Sequence, residues 1–344
     1  MRVFKNILVT GGYGFIGSNF IRYVFEKTDF EGIIVNMDKL TYAANPANIA
    51  DLFEKYPQRL FFEKGDICNY QKTLDIFKSY NIDLVVHFAA ESHVDRSITG
   101  PAEFIRTNIN GTFNLLETAR ELWRGRQDVL FHHVSTDEVY GSLGDTGYFF
   151  EDTPYNPQSP YSASKAGSDH FVKAYLNTYR IPVTISNCSN NYGPYQFPEK
   201  LIPLILMNMM NNKPLPVYGN GKNVRDWLFV EDHCSGIWSI VQKGVIGETY
   251  NIGGESELQN IDLVNLLCER VAVKQGLSID RYKNLITYVT DRPGHDMRYA
   301  INCDKIKHDL HWKRTVSILD GIDYTIDWYL NNKKWIEDIN SRNG

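Results

Sequence analysis

A chain of 344 residues with 43% hydrophobic and 22% charged side chains can bury one large core or two moderate ones. A formal charge of −5 gives no basic field for nucleic acid, and no apolar run reaches membrane-spanning length. The scattered cysteines Cys68, Cys188, Cys234, Cys268 and Cys303 form no CxxC pair, so reduced thiols in the cytoplasm are expected and no metal site is.

Met1 to Lys5 lead directly into Asn6-Ile7-Leu8-Val9-Thr10, so no signal peptide is expected. That run reads as a β-strand. It is followed by Gly11-Gly12-Tyr13-Gly14-Phe15-Ile16-Gly17 and by an amphipathic helix through about Lys27. Strand, glycine turn and helix in this order form a dinucleotide site, here with GxxGxxG spacing. The glycines permit a tight turn, close approach of backbone to a pyrophosphate, and close helix packing. Gly11, Gly14, Phe15, Ile16 and Gly17 are the predicted cofactor contacts.

A second strand, Ile33 to Met37, ends at Asp38, about twenty residues past the last glycine. A carboxylate there can bond both ribose hydroxyls and would repel a 2′-phosphate, which favours NAD over NADP. Leu60 to Glu63 form a third strand, with Asp66 and Ile67 beyond it at an adenine. Leu84 to Ala90 form a fourth, nearly all apolar, as a strand covered on both faces should be. Ala89 and Ala90 are small enough to let a cofactor lie close, and Ser92 follows them.

Helix-like sequence separates these strands, for example around Thr73 to Tyr80 and Phe104 to Trp123. The second of these holds position 109, within Asn108-Ile109-Asn110, which is counted with the cofactor set. The fifth strand runs from Val129 to Val134, with His132 and His133 as packing groups, and ends at Ser135. The sixth, Pro182 to Ser186, leads into Asn187, a further cofactor position, and on to Pro194. The alternation predicts an α/β fold with a doubly wound parallel Rossmann-type sheet. Residues 1–188 form its NAD-binding domain. Residues 189–344 form a smaller, mainly substrate-binding part, with segments free to return to the first.

Thr136-Asp137-Glu138 places adjacent acids where a central strand runs out, an improbable position for ordinary surface charge. Ser159-Pro160 marks a helix start, and Tyr161 and Lys165 then share one helix face. An acid, a carboxylate base and a phenol beside a cation predict several proton transfers in addition to a hydride step. Further on, 219–226 and 291–296 read as polar loops. Arg225, Arg292 and His295 can converge from them, and arginines from separate loops suit a diphosphate. Ser317 to Leu330 read as helical scaffold.

These motifs together resemble the extended short-chain dehydrogenase/reductase family over nearly the whole chain, and within it the nucleotide-sugar 4,6-dehydratases. The carrying segments are Leu40-Thr41-Tyr42, Ala89 to Ser97, Ser135 to Gly141, Asn187 to Phe197, Asn223 to Leu228, and Asp291 to His295. The 4-epimerases of the family lack the acidic pair, and its GDP-mannose dehydratases typically carry Thr-Ser-Glu, so Asp137 points to a glucose nucleotide. The resemblance implies that Tyr161 takes the proton from the sugar 4-hydroxyl, while Lys165 lowers its pKa and holds the nicotinamide ribose. Thr136 bonds near the 4-oxygen, Asp137 is the acid for the departing 6-hydroxyl, and Glu138 is the base at C5. Asn190 and Ser92 hold the sugar, and Lys200, Arg225 and Arg292 the diphosphate. Glu199, Leu201, Pro216, Tyr218, Asn260 and His295 complete the pocket.

The implied substrate is dTDP-glucose, with UDP-glucose as the alternative, since one methyl separates thymine from uracil. Net redox is zero, so NAD stays bound between turnovers. A homodimer packed through helices near 104–123 and 161–179 is implied as well. An idle NAD-binding scaffold would show a broken Tyr-Lys pair or a lost acid, and all are intact here. Two positions depart from the family pattern: Tyr13 stands where Ala is usual, and Asn302 where Asp is.

Overall fold

The computed structural model describes residues 1–291 and 296–343. The first six strands are β1 (Asn6–Thr10), β2 (Ile33–Asp38), β3 (Leu60–Lys64), β4 (Leu84–His87), β5 (Leu130–Thr136) and β6 (Val183–Cys188). After them come β7 (Asn190–Tyr192), β8 (Leu215–Tyr218), β9 (Val224–Phe229), β10 (Thr249–Ile252), β11 (Glu257–Gln259) and β12 (Ile286–Val289).

A seven-stranded sheet has the order β10-β6-β5-β4-β1-β2-β3, and every pair in it is parallel. All four residues of β4 and all seven of β5 are buried, because helices cover both faces. Alternate residues feed opposite cores: Ile7 and Val9 pack on one face of β1, and Leu8 on the other. The chain moves outward from β1 to β2 and β3, then returns to β4 on the far side of β1. That reversal opens a crevice beyond the carboxyl ends of β1 and β4, where doubly wound sheets place their ligands.

Beyond residue 189 the chain is divided. β10 returns to the central sheet beside β6. β7, β9 and β11 form a three-stranded sheet, and β8 pairs with β12. A separate core gathers Ile205, Leu206, Trp227, Leu263, Leu267, Ile322 and Ile326 under these pieces.

Three local readings change. The stretch read as a loop over 219–226 is strand from Val224, because β9 is held between β7 and β11. β4 stops at His87, so Phe88, Ala89 and Ala90 lie past the strand, with Ala89 and Ala90 on the cleft. The helix read as continuous through Phe104 to Trp123 contains a π-helical stretch, Ile105–Gly111, between shorter α-helical ones. The described part of the 291–296 turn is Asp291 and Asp296 alone.

Candidate active site

A cleft of about 380 Å³ follows the carboxyl ends of β1, β2, β4, β5 and β6. At its cofactor end Gly11 has φ of +73°, and a Cβ there would lie 2.9 Å from the Ala89 backbone. A Cβ on Gly17 would meet the Gly11 carbonyl oxygen at 2.4 Å. Only glycine fits at either place. Helix Phe15–Lys27 begins after Gly14 with no side-chain cap, so its first N–H groups face the cleft as an anion site. This bare cradle has the shape and polarity to fit an NAD pyrophosphate.

Asp38 is buried beside the cradle and accepts the Tyr13 N–H at 3.0 Å and the Leu40 N–H at 2.8 Å. Burial raises its pKa, and those two donors oppose the rise. Asp66 sits farther along, 3.0 Å from Lys39 and 2.8 Å from Arg106. Burial works against its charge, but the Cys68 N–H and the two cations outweigh it and hold the carboxyl down to about 2.

β5 delivers the wall that carries the predicted catalytic residues. Its last residue, Thr136, caps a single 3₁₀ turn, Asp137–Tyr140, by accepting the Glu138 N–H at 3.3 Å. The turn points Asp137 and Glu138 into the cleft. Asp137 is 2% exposed, and its Oδ2 has no hydrogen-bond partner among the described residues. Burial, then Glu138 and Asp226, raise its pKa well above the carboxylate range, with Arg225 and Thr136 opposing only in part. Burial and its acidic neighbours thus favour the protonated form of Asp137.

Opposite this turn, helix Pro160–Tyr179 starts with a reciprocal cap: Ser162 N–H to Ser159 Oγ at 3.1 Å, and Ser159 N–H to Ser162 Oγ at 3.0 Å. The cap sets Tyr161 in the first turn and Lys165 one turn on, both buried and on the cleft. Burial and the charge of Glu138 push the phenol up, while a Thr136 hydrogen bond opposes them. Lys165 Nζ donates to the Val134 carbonyl at 2.8 Å, and burial lowers its pKa.

Of the predicted substrate positions, Ser92, Thr136, Asn190, Glu199, Lys200 and Leu201 line the same cleft. Glu199 accepts the Tyr42 hydroxyl at 3.2 Å and lies 3.7 Å from Arg96, whose guanidinium stacks 3.7 Å from the Tyr42 ring centre. Lys200 Nζ donates to the Ser92 carbonyl at 2.9 Å. Pro216, Tyr218, Arg225 and Asn260 are not on the lining. Pro216 and Tyr218 belong to β8, and Asn260 opens helix Asn260–Gln275. Arg225 is buried, stacked on Tyr299, and donates to the carbonyls of Val224 at 2.7 Å and Asp296 at 2.9 Å. Arg292 and His295 lie outside the described residues.

Gly11, Gly14, Phe15, Ile16, Gly17, Asp38, Asp66, Ile67, Ala89, Ala90, Ser92, Ser135, Tyr161 and Lys165 all line the cleft as expected of cofactor contacts. Asn187 and position 109 do not. Asn187 turns away from the cleft, donating to the Tyr140 hydroxyl at 2.9 Å. Ile109 lies off the lining with its side chain beside Gly167, and its neighbour Asn108 does the supporting work. The Asn108 amide accepts the Glu91 N–H at 2.8 Å and donates to Ser164 Oγ at 2.8 Å, tying the Ala89–Ser92 loop to the catalytic helix. Tyr13 is buried against Phe62 rather than disturbing the turn. Asn302 accepts the Asp304 N–H at 2.9 Å, a role Asp would fill equally.

Sequence reasoning missed Thr107, Cys188, Gln196 and Trp227 on the lining, and Asp169 behind it. Asp169 carried a usable signal: it lies four residues past Lys165 and shares its helix face.

Residues 8–325 match the family model described as GDP-mannose 4,6 dehydratase. The chain is 51% identical over 344 residues to a dTDP-glucose 4,6-dehydratase of Neisseria meningitidis, covering 97% of this chain and 96% of that one. It is 49% identical to dTDP-glucose 4,6-dehydratase 1 of Escherichia coli K12, covering 97% and 95%. Among solved structures, a dTDP-glucose 4,6-dehydratase from Streptomyces venezuelae, with NAD bound, superposes with a TM-score of 0.90 at 43% identity, covering 97% of this chain and 99% of that one. The UDP-glucose 4-epimerase of Thermotoga maritima superposes with a TM-score of 0.84 at 25% identity, covering 95% and 99%.

Proposed function

The chain belongs to the GDP-mannose 4,6 dehydratase family, and from that premise we propose that it is a hydro-lyase converting dTDP-glucose to dTDP-4-keto-6-deoxyglucose with bound NAD. The observation that carries this reading is the pair of adjacent carboxyls that the end of β5 sets on the cleft. Asp137 is buried on the cleft with an unpartnered Oδ2 and a pKa raised by burial, directly beside Glu138 and across from Tyr161. A plain dehydrogenase or epimerase needs no such pair of carboxyls at the sugar.

When bound, NAD would accept hydride from C4 and return it to C6. The glycine cradle and Asp38 hold the cofactor, and Tyr161 removes the proton of the 4-hydroxyl. The phenol is pushed up by its surroundings, so its action depends on the nearby Lys165 ammonium. Oxidation makes the C5 hydrogen acidic; Glu138 removes it, and Asp137 protonates the leaving 6-hydroxyl. Asn190, Glu199 and Lys200 bind the sugar nucleotide, with Arg225 acting from behind the wall.

Residues 1–188 serve mainly the cofactor, and 189–344 mainly the substrate. The thymine assignment rests on the relatives. A homodimer through helices near 104–123 and 161–179 is supported by exposed Ile105, Phe113 and Phe171 on their outer faces. The free thiols fit a reducing cytoplasm, and no described helix is long and apolar enough to cross a membrane.

The test uses dTDP-glucose deuterated at C4. The label should appear at C6 of the product, undiluted by excess free NADH. Loss of deuterium to the added cofactor would identify an ordinary dehydrogenase and end this reading.

A further inference from the structure

Behind Lys165 lies a buried polar cluster that the steps above do not use. Asp169, fully buried one helical turn past Lys165, accepts the Ser135 hydroxyl at 2.8 Å and the Tyr155 hydroxyl at 3.0 Å, both on Oδ2. Its Oδ1 lies 3.1 Å from His133 Nε2 but is not aligned for a hydrogen bond, and no donor among the described residues reaches it. The same imidazole nitrogen is 3.4 Å from Lys165 Nζ. A carboxylate with one undonated oxygen, sealed from water on the side of a buried ammonium, acts on that ammonium chiefly by its charge. We propose that Asp169 is the positioning residue of the Tyr161–Lys165 pair: its carboxylate, fixed by Ser135 and Tyr155, keeps the Lys165 ammonium charged and seated against the Val134 carbonyl.

The surroundings are consistent with this role. Lys165 and Lys173 face Asp169 from its own helix, and His133 and Ser135 from β5. Tyr155 comes from the preceding loop, Tyr140 from the 3₁₀ turn, and exposed His170 packs on Tyr155. Cys188 of β6 stands near Lys165, and His87 of β4 stands behind His133. Burial lowers the pKa of both histidines well below the imidazole range, so neither supplies charge at neutral pH. Burial also lowers Lys165, and Asp169 is the first group opposing that fall. Asp169 itself is raised by burial to about 6, with Lys165, Ser135 and Tyr155 restraining the rise.

The role of Asp169 deepens the dehydratase reading and rests on it, but the protonation of Lys165 can be followed without substrate. In NAD-bound protein labelled with carbon-13 at lysine Cε, the Lys165 signal is assigned by its loss in Lys165→Met. In a His170→Gln background, which removes the exposed imidazole nearby, that signal should show a small step centred near pH 6 as Asp169 titrates. Asp169→Asn should abolish the step and move the Lys165 midpoint down by about one pH unit or more, the size of shift an opposite charge causes. The alkaline limb of kcat/KM for dTDP-glucose should move with it, and Asp169→Glu should restore both positions. A step that is absent from the folded His170→Gln protein overturns the proposal even if Asp169→Asn does not fold. An Asp169→Asn profile lower in height but unmoved in pH also overturns it, leaving Asp169 a packing group. Failure of wild-type protein to turn over dTDP-glucose would instead remove the dehydratase reading, while the titration step would still report the coupling.

Discussion

At the cofactor end of the cleft, recognition is carried by backbone and by small side chains. Gly11 turns under Ala89, the helix at Phe15 opens bare, and two N–H groups fix Asp38. At the catalytic end it is carried by titratable side chains in a dry wall. Burial and neighbouring charged groups shift the proton affinities of Asp137, Tyr161 and Lys165. The first end should therefore tolerate changes of charge better than changes of volume, and the second the reverse. A cofactor retained through every turnover needs a rigid seat, whereas proton transfers need groups whose affinity for a proton is finely set.

The largest effects should come from isosteric changes to the proton-carrying groups of the catalytic end. Glu138→Gln and Asp137→Asn should each slow dehydration by about 10²–10⁴-fold, the usual cost of a missing base or acid. They should stall at different points. Glu138→Gln should still form NADH in a single turnover but suppress exchange of the C5 hydrogen with solvent deuterium. Asp137→Asn should keep C5 exchange and lose elimination, and Tyr161→Phe should form little NADH at all. C5 exchange at the wild-type rate in Glu138→Gln but none in Asp137→Asn would reverse the two roles.

A single methyl at the cofactor end is the matching change of volume. Gly11→Ala places a Cβ 2.9 Å from main-chain atoms at a positive φ. The backbone conformation alone costs about 1–2 kcal/mol, before the clash is counted. Both the melting temperature and its rise on adding NAD should fall. An Ala variant with full NAD-induced stabilisation would show that the cradle is looser than its geometry.

Legibility followed the same divide. The cofactor end is built from short contiguous pieces, so the glycine turn, Asp38 and the strand ends could be read from local pattern. The placement of Thr136, Asp137, Glu138, Tyr161 and Lys165 on one cleft was readable because a strand end and a helix face fix their directions. The direction of Arg225 was not, because its guanidinium is held by the Asp296 carbonyl and the Tyr299 ring, both far along the chain. Position 109 is an isoleucine beside Gly167, and the polar contacts there belong to Asn108. Asn187 lies off the lining, its amide donating to the Tyr140 hydroxyl, a partner forty-seven residues away that its own sequence does not announce.

A smaller effect concerns cofactor choice. Asp38→Gly should narrow the preference for NAD over NADP by roughly tenfold or more, since a hydrogen bond to a charged group is worth about 1.5–3 kcal/mol. The substitution also removes the acceptor for the Tyr13 and Leu40 N–H groups, so NAD affinity should fall as well. Equal binding of NAD and NADP by the wild-type apo-protein would mean that Asp38 does not face the ribose.

The smallest expected effect lies at the rim of the cofactor end, where a charge change should barely register. Asp66 is partly exposed and pairs with Lys39 and Arg106. Such pairs contribute about 0–1 kcal/mol, so Asp66→Asn should move the melting temperature little at neutral pH. The pH dependence has a definite sign. The folded pKa, about 2, lies below the ordinary aspartate value, so the contribution is fully present above the unfolded pKa near 4 and is lost as pH falls through about 2. Buried Asp169 has the opposite sign. Its folded pKa of about 6 lies above the unfolded one, so its ionisation erodes stability as pH rises from near 4 to about 6. Denaturant unfolding of wild type and Asp66→Asn should therefore converge below about pH 2 and separate slightly above pH 4. A separation that grows between pH 4 and 6 would mean that Asp66 titrates like the buried carboxyl, and the rim would then belong electrostatically with the catalytic wall.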